Sequence, residues 1–175
     1  MWIDVLLLAK VAKGPLHGYE LRRQVEETSG RALSNNSLYP ALRRFSDAGA
    51  VARKAEVQHG RPPKHVYAIT DVGRDLLHDM LADLPDDLAG DPAEFFARLG
   101  NFGWLTTEER LRVVDARETA VARQLDRLLA LASAQEEPWP QIVLDEVCRR
   151  ARDEQEWLGS IRELIHKPLV QEGNR

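Results

Sequence analysis

A chain of 175 residues that is 43% hydrophobic can bury a real core, and its length fits one domain or a small domain with an appendage rather than a disordered polymer. The net charge of −4 divides unevenly: residues 1–82 carry 12 Lys+Arg against 9 Asp+Glu, or +3, and 83–175 carry 12 against 19, or −7. Between 31 and 65 the basic residues Arg31, Arg43, Arg44, Arg53, Lys54, Arg61 and Lys64 face only Asp47 and Glu56. Positive potential therefore concentrates where a polyanion would dock, while the acidic remainder argues against general stickiness to nucleic acid. The lone Cys148 cannot close an intrachain disulfide, no basic region precedes a long apolar run, and no stretch approaches the roughly 18 consecutive apolar residues of a spanning helix. A cytoplasmic chain that is not an integral membrane protein is expected.

Ile3 to Val11 places Ile3, Val5, Leu6, Leu8 and Val11 on a broad apolar face, and Gly14-Pro15 ends that first helix. A second helix is expected from His17 or Gly18 to Ser29, with Leu21 and Val25 facing inward and Tyr19 at the margin, before a turn at Gly30. The third, in Ser34 to Phe45 (SNNSLYPALRRF), carries the most information. Ser34, Asn35, Asn36 and Ser37 can each cap a helix start, and their short polar groups can also reach base edges. Leu38, Ala41, Leu42 and Phe45 recur at helical spacing toward a core, which leaves Asn36, Ser37, Tyr39, Arg43 and Arg44 outside or at its margins. Pro40 lacks an N–H, so the helix either starts near Ser37 or has a tightened or bent first turn.

Beyond the cap at Gly49, VARKAEVQ alternates as a strand; HGRPPK reads as a turn or extended loop, and HVYAIT returns as a second strand. Three helices followed by a basic-tipped hairpin is the order of a winged helix-turn-helix. Thr70 or Asp71 then caps a fourth helix through Leu84 that carries Val72, Leu76, Leu77, Met80 and Leu81. LPDDLAGDP marks a boundary, with Asp91 as a cap and Pro92 at the first helical position. A short aromatic helix with Phe95, Phe96 and Leu99 gives way at Gly100 and Gly103 to Trp104-Leu105 and the capping box Thr106 to Glu109.

From there Leu111, Val114, Glu118, Val121, Leu125, Leu128 and Ala132 form a heptad seam broken at Glu118. Pro138 and Pro140 interrupt the pattern, and Gln141 to Ile165 repeats it with Leu144, Val147, Ala151, Glu154, Leu158, Ile161 and Ile165. Two such helices carry more apolar edge than a hairpin consumes, which points to dimerisation, with packing against the winged part as the alternative. The expected organisation is a winged helix at 1–84, a connector with a short helix at 85–105, a helical dimerisation domain at 106–167 and a fraying tail at 168–175. The fold class is mainly α, with a two-stranded β wing.

Four stretches, PLHGYEL (Pro15 to Leu21), SLYPALRRF (Ser37 to Phe45), DAGAV (Asp47 to Val51) and GRPPKHVYAITDVGRDLL (Gly60 to Leu77), together resemble the PadR family of bacterial transcriptional regulators over the first half of the chain. The length, the two long helices and EWL at Glu156 to Leu158 are similar to its longer subgroup, whose C-terminal helices embrace those of a second subunit. Many members have a glycine or small residue where this chain has Asn36. The resemblance implies a homodimer on inverted-repeat operator DNA, a repressor, and release by a small aromatic or lipophilic effector near the dimer interface. It places Ser37, Tyr39 and Arg43 on the reading helix and Arg61 and Lys64 on the wing. With Asn35, Asn36 and Arg44 these are the candidate DNA-binding residues, by hydrogen bonds to bases from Arg and Asn and to phosphate from hydroxyls.

Each signal has a plainer counterpart. Arg43-Arg44 can be a solvated face, and Tyr39 can fill a gap between helices. Phe95, Phe96 and Trp104, with Phe102, Trp139 and Trp157 nearby in composition, can line an effector pocket or form interface core, and Trp2 can belong to a subunit contact. The five histidines lack ligand spacing and one cysteine supplies no thiolate pair, so no metal or cofactor is expected. No nucleophile elbow or phosphate-binding Gly-rich loop points to an enzyme. The competing non-DNA reading is a winged helix that serves as a protein-interaction module.

Overall fold

The first helix, α1 (Trp2–Ala12), is apolar nearly all round, and Val5, Leu6, Leu7, Leu8, Ala9 and Val11 are all buried. A helix without a polar face belongs at the centre of a fold, and α1 packs against α2 (Gly18–Ser29), β3 (Arg61–Ile69) and α4 (Asp71–Ala82). Leu7 and Ala9 thus join the expected apolar face. The computed structural model describes residues 2–58 and 61–167, with the backbone alone at Val57, Gln58 and 61–63. The expected tail at 168–175 lies outside the described residues.

The chain divides into two units, one of Met1–Ala82 with Phe96–Trp104, the other of Asp83–Phe95 with Leu105–Arg175. In the first, α2 ends at Gly30, whose φ of +65° suits a residue without Cβ, and α3 (Asn35–Asp47) follows. A three-stranded antiparallel sheet has the order β1 (Leu16–His17), β3, β2 (Val51–Gln58). The wing therefore gains a third strand beyond the expected two, because two residues of β1 pair with Val66 and Tyr67 but are too short for any alternation to show. Strand β3 also begins at Arg61, earlier than expected. Its prolines fall where the register shifts between Glu56 and Gln58, and where β3 pairs only with β2, so their missing donors interrupt no second ladder.

α4 is capped by Thr70, whose Oγ1 accepts from the Gly73 N–H at 3.1 Å. Val72, expected on the apolar face, is 58% exposed, and Gly73 is buried in its place. The reason is steric: a Cβ at Gly73 would lie 2.0 Å from the Ala50 carbonyl oxygen and 2.9 Å from its carbon.

In the second unit, α5 (Pro92–Leu99) starts on Asp91, whose Oδ1 accepts from the Ala93 N–H at 2.9 Å. The helix runs from the first segment of this unit into the first unit's Phe96–Trp104, which holds a 3-10 turn at Phe102–Trp104. The capping box forms as expected, Thr106 N–H to Glu109 Oε2 at 2.8 Å and Glu109 N–H to Thr106 Oγ1 at 3.3 Å, and opens α6 (Thr107–Ser133). α7 (Pro138–His166) packs along α6. It begins three residues before the expected start, since Pro138 and Pro140 occupy first-turn positions whose N–H groups would have no helical partner in any case. The polar group most deeply buried in the seam is Arg117, 1% exposed, rather than its neighbour Glu118. Its Nε and Nη2 donate to Glu154 Oε1 at 2.8 and 2.6 Å, and its Nη1 donates to the Ala89 carbonyl at 2.7 Å. Glu118 is answered by Arg162, which also pairs with Asp115.

Two substitutions test this packing. Gly73→Ala should lower stability by about 1–3 kcal/mol, the cost of overpacking, even though alanine is favoured in a helix by about 1 kcal/mol; urea denaturation showing a gain would remove the close approach. Arg117→Met should cost about 3 kcal/mol, near the lower bound for breaking a buried pair because Glu154 can turn to water. An unchanged urea midpoint would show that the Ala89 carbonyl and Glu154 do not need the guanidinium.

Candidate nucleic-acid interface

The start of α3 is built from short polar residues that satisfy one another. Ser34 Oγ accepts from the Ser37 N–H at 3.1 Å and meets Ser37 Oγ at 3.0 Å, while Ser34 O accepts from both Ser37 and Leu38 N–H at 3.1 Å. The doubled acceptance tightens the first turn, and Pro40 sits inside the helix one turn further on. Leu38, Ala41, Leu42 and Phe45 are buried as the spacing requires, and Asn35, Asn36, Ser37, Tyr39, Arg43 and Arg44 are exposed.

Exposure does not leave all six equally free. Arg22 of α2, with Nε on Glu26 Oε1 at 3.0 Å, donates from Nη1 to Asn35 Oδ1 at 3.2 Å. The Asn35 amide nitrogen is the end left for outside acceptors. Glu26 also accepts from the Leu33 N–H at 2.8 Å, and that bond, with Arg22, holds its carboxyl below the usual range. Ser37's hydroxyl takes part in the cap. Arg44 Nη2 reaches Asp4 Oδ1 at 2.6 Å and its guanidinium lies 5.5 Å from the Phe45 ring, so α3 is strapped to α1 by this arginine. Asn36 and Arg43 remain as the uncommitted polar side chains of the face.

The wing flanks this face. Lys64 Nζ stands 5.2 Å from the centre of the Tyr19 ring, a cation held over an aromatic face. The side chain of Arg61 lies outside the described residues. Tyr39 is 48% exposed yet its ring closes on Gly18, where a Cβ would lie 3.4 Å from Tyr39 Cε1 and 3.5 Å from Tyr67 Cε2. Tyr39 thus packs with one edge of its ring and leaves the rest exposed. Tyr67 is buried, which pushes its hydroxyl's pKa up and keeps it a proton donor.

Between α3 and the wing lies a cleft of about 440 Å³ lined by Tyr39, Leu42, Arg43, Ser46, Asp47, Arg53, His65 and Tyr67. Arg53 Nη2 meets His65 Nε2 at 2.5 Å. Sequence reading counted Arg53 in the basic stretch and gave it no place; the strand register supplies it, since Arg53 opposes Tyr67 and Ala55 opposes His65, making arginine and histidine diagonal neighbours. Arg22 was missed as well, because its partner Asn35 lies thirteen positions away.

The three aromatic candidates separate. Phe95 is fully buried in the second unit, edge-on to Trp157 at 6.0 Å, while Phe96 and Trp104 in the first unit are 53% and 37% exposed. Among the described residues no group of His, Cys, Asp and Glu could hold a metal ion, and no described helix is long and apolar enough to cross a membrane.

The chain is similar to the negative transcriptional regulator PadR of Bacillus subtilis, 25% identical over 177 residues, covering 92% of this chain and 96% of that one. Solved structures of Bacillus subtilis PadR align at 22% identity with operator DNA bound (94% of this chain, 99% of that one, TM-score 0.45) and at 20% with p-coumaric acid bound (95%, 100%, 0.42). A probable transcriptional regulator of Mycobacterium tuberculosis is 33% identical over 79 residues, 44% of this chain and 42% of that one. Residues 7–79 match the transcriptional regulator PadR-like family, a span that holds α2, α3, the wing and most of α4, and that segment of the chain is a PadR-like domain.

Proposed function

We propose that the protein is a homodimeric repressor that binds an inverted-repeat operator by placing α3 of each subunit in the major groove, and that it acts by binding rather than by catalysis. The observation that carries this reading is the division of α3: its apolar stripe is buried, so Asn36, the Asn35 amide and Arg43 form an outward polar face beside Lys64 of the wing. Asn and Arg are the side chains that read adenine and guanine edges, and a lysine on a hairpin suits phosphate. Repression is supported by the likeness to a negative regulator along nearly the whole chain.

The dimer reading assigns 106–167 to subunit pairing. Leu129 and Leu131 on α6 and Trp139, Ile142, Val143 and Leu164 on α7 are all exposed, more large apolar surface than a solvated helix pair ordinarily presents. The effector reading keeps Phe96 and Trp104, whose exposed rings offer apolar area and stacking to an aromatic or lipophilic compound. Phe95, fully buried and edge-on to Trp157, does not itself meet a guest. Such a compound releases DNA only by favouring the non-binding spacing of the reading helices, since equal affinity for both states shifts nothing.

The α3 and wing roles separate in a titration of operator and random duplex at several salt concentrations. Asn36→Ala should cost about 1–3 kcal/mol on the operator with little loss on random DNA. Lys64→Ala should weaken both alike and lower the magnitude of the log affinity versus log salt slope by about 0.9. Equal losses on both duplexes for Asn36→Ala would remove α3 from base reading, and failure of the unaltered protein to bind duplex at all would favour a protein-interaction module.

A further inference from the structure

We propose that Arg22 of α2 is a specificity-determining residue that acts through Asn35. By fixing which end of that amide is oxygen and which is nitrogen, it makes the chain reject cytosine at the base edge Asn35 meets, a role that rests on the base reading proposed above. An asparagine amide has an acceptor and a donor of nearly the same shape, and a free one turns over to suit whatever faces it. A guanidinium has donors only, so the contact of Arg22 Nη1 with Asn35 at 3.2 Å can be made by Oδ1 alone. The amide nitrogen is then held on the other side.

The guanidinium is itself held. Its Nε donates to Glu26 Oε1 at 3.0 Å, one turn along α2, and the same oxygen accepts from the N–H of Leu33 at 2.8 Å in the link that leads into α3. The Leu33 N–H and Arg22 keep the Glu26 carboxyl below its usual range, so it stays charged at neutral pH. One line of bonds thus runs from the link through α2 to Asn35, the first residue of α3. Asn36, its exposed neighbour, has no such lock and can turn either way. In the major groove guanine offers N7 and O6, adenine N7 and thymine O4 as acceptors, whereas cytosine offers only its N4 amino donor. A fixed amide nitrogen can donate to any of the first three and meets cytosine donor against donor.

The test is selection of bound duplexes from a library with a randomised core, using the full chain unaltered and as Asn35→Ala, Arg22→Met and Asn35→Asp. Arg22 and Glu26 form a surface pair, which contributes little to stability, and an aspartate suits the first turn of a helix, so the variants should melt as the unaltered protein does. The unaltered chain should deplete cytosine on one strand at one position of each half-site, and Asn35→Ala should abolish that depletion. Cytosine placed there should cost the unaltered chain on the order of tenfold in affinity, and several-fold less in Arg22→Met, whose amide is free to turn. Asn35→Asp presents acceptors alone and should turn the same position toward cytosine. If Arg22→Met binds every duplex more weakly with that position unchanged, Arg22 is a phosphate contact or a strut and the role is overturned. An Asn35→Ala that alters no position, or an Asn35→Asp that still excludes cytosine, overturns it equally. A library from which the unaltered chain enriches no sequence overturns the base reading of α3 itself, and this role with it.

Discussion

The carbonyl of Ala50 is the point on which the placing of α3 against the wing depends. It accepts from the Thr70 N–H and from Thr70 Oγ1, both at 3.1 Å, while Thr70 Oγ1 also reaches the Gly49 carbonyl at 2.7 Å. Ala50's own N–H donates back to Phe45 in the last turn of α3 at 2.8 Å, past Gly49 at φ +70°. Gly73 lets the first turn of α4 come to van der Waals range of the same carbonyl. The backbone of one residue thus joins the end of α3, the base of the wing and the start of α4, and fixes α3 against the hairpin.

A second constraint is how few polar groups on α3 remain uncommitted. The helix start consumes Ser34 and Ser37 on its own amides, Arg22 takes one end of Asn35, and Arg44 is drawn back to Asp4. These bonds rigidify the face before any partner arrives, which lowers the entropy lost on docking. They also narrow its chemistry: Asn35 is left as a donor, and Asn36 and Arg43 carry what freedom remains. The donor pattern of this face is therefore set in part by Arg22 on α2 and Asp4 on α1.

Much of this was legible from residue order because it follows local periodicity. The stripe Leu38, Ala41, Leu42, Phe45, the cap at Ser34 and the box from Thr106 to Glu109 are patterns within one or two turns, and the structure keeps them. The departures arise where long-range contact decides. Val72 was the better apolar candidate than Gly73 until the Ala50 carbonyl required an absent side chain, and Glu118 marked the break in the seam although Arg117 is the group buried in it. Arg44 looked free because Asp4 lies forty positions away. β1 is two residues long and can be recognised only by its partner strand. Pro138 and Pro140 read as a break, yet a helix N-terminus tolerates both.

The central claim is that the outward face of α3 reads base sequence, twice, in one dimer. Sequencing the genomic DNA fragments retained by the purified full chain tests it most directly. Two half-sites in inverted orientation should be enriched, their centres about one helical turn, roughly 34–36 Å, or a multiple of it apart. Retained fragments with no shared sequence beyond their base composition would contradict it.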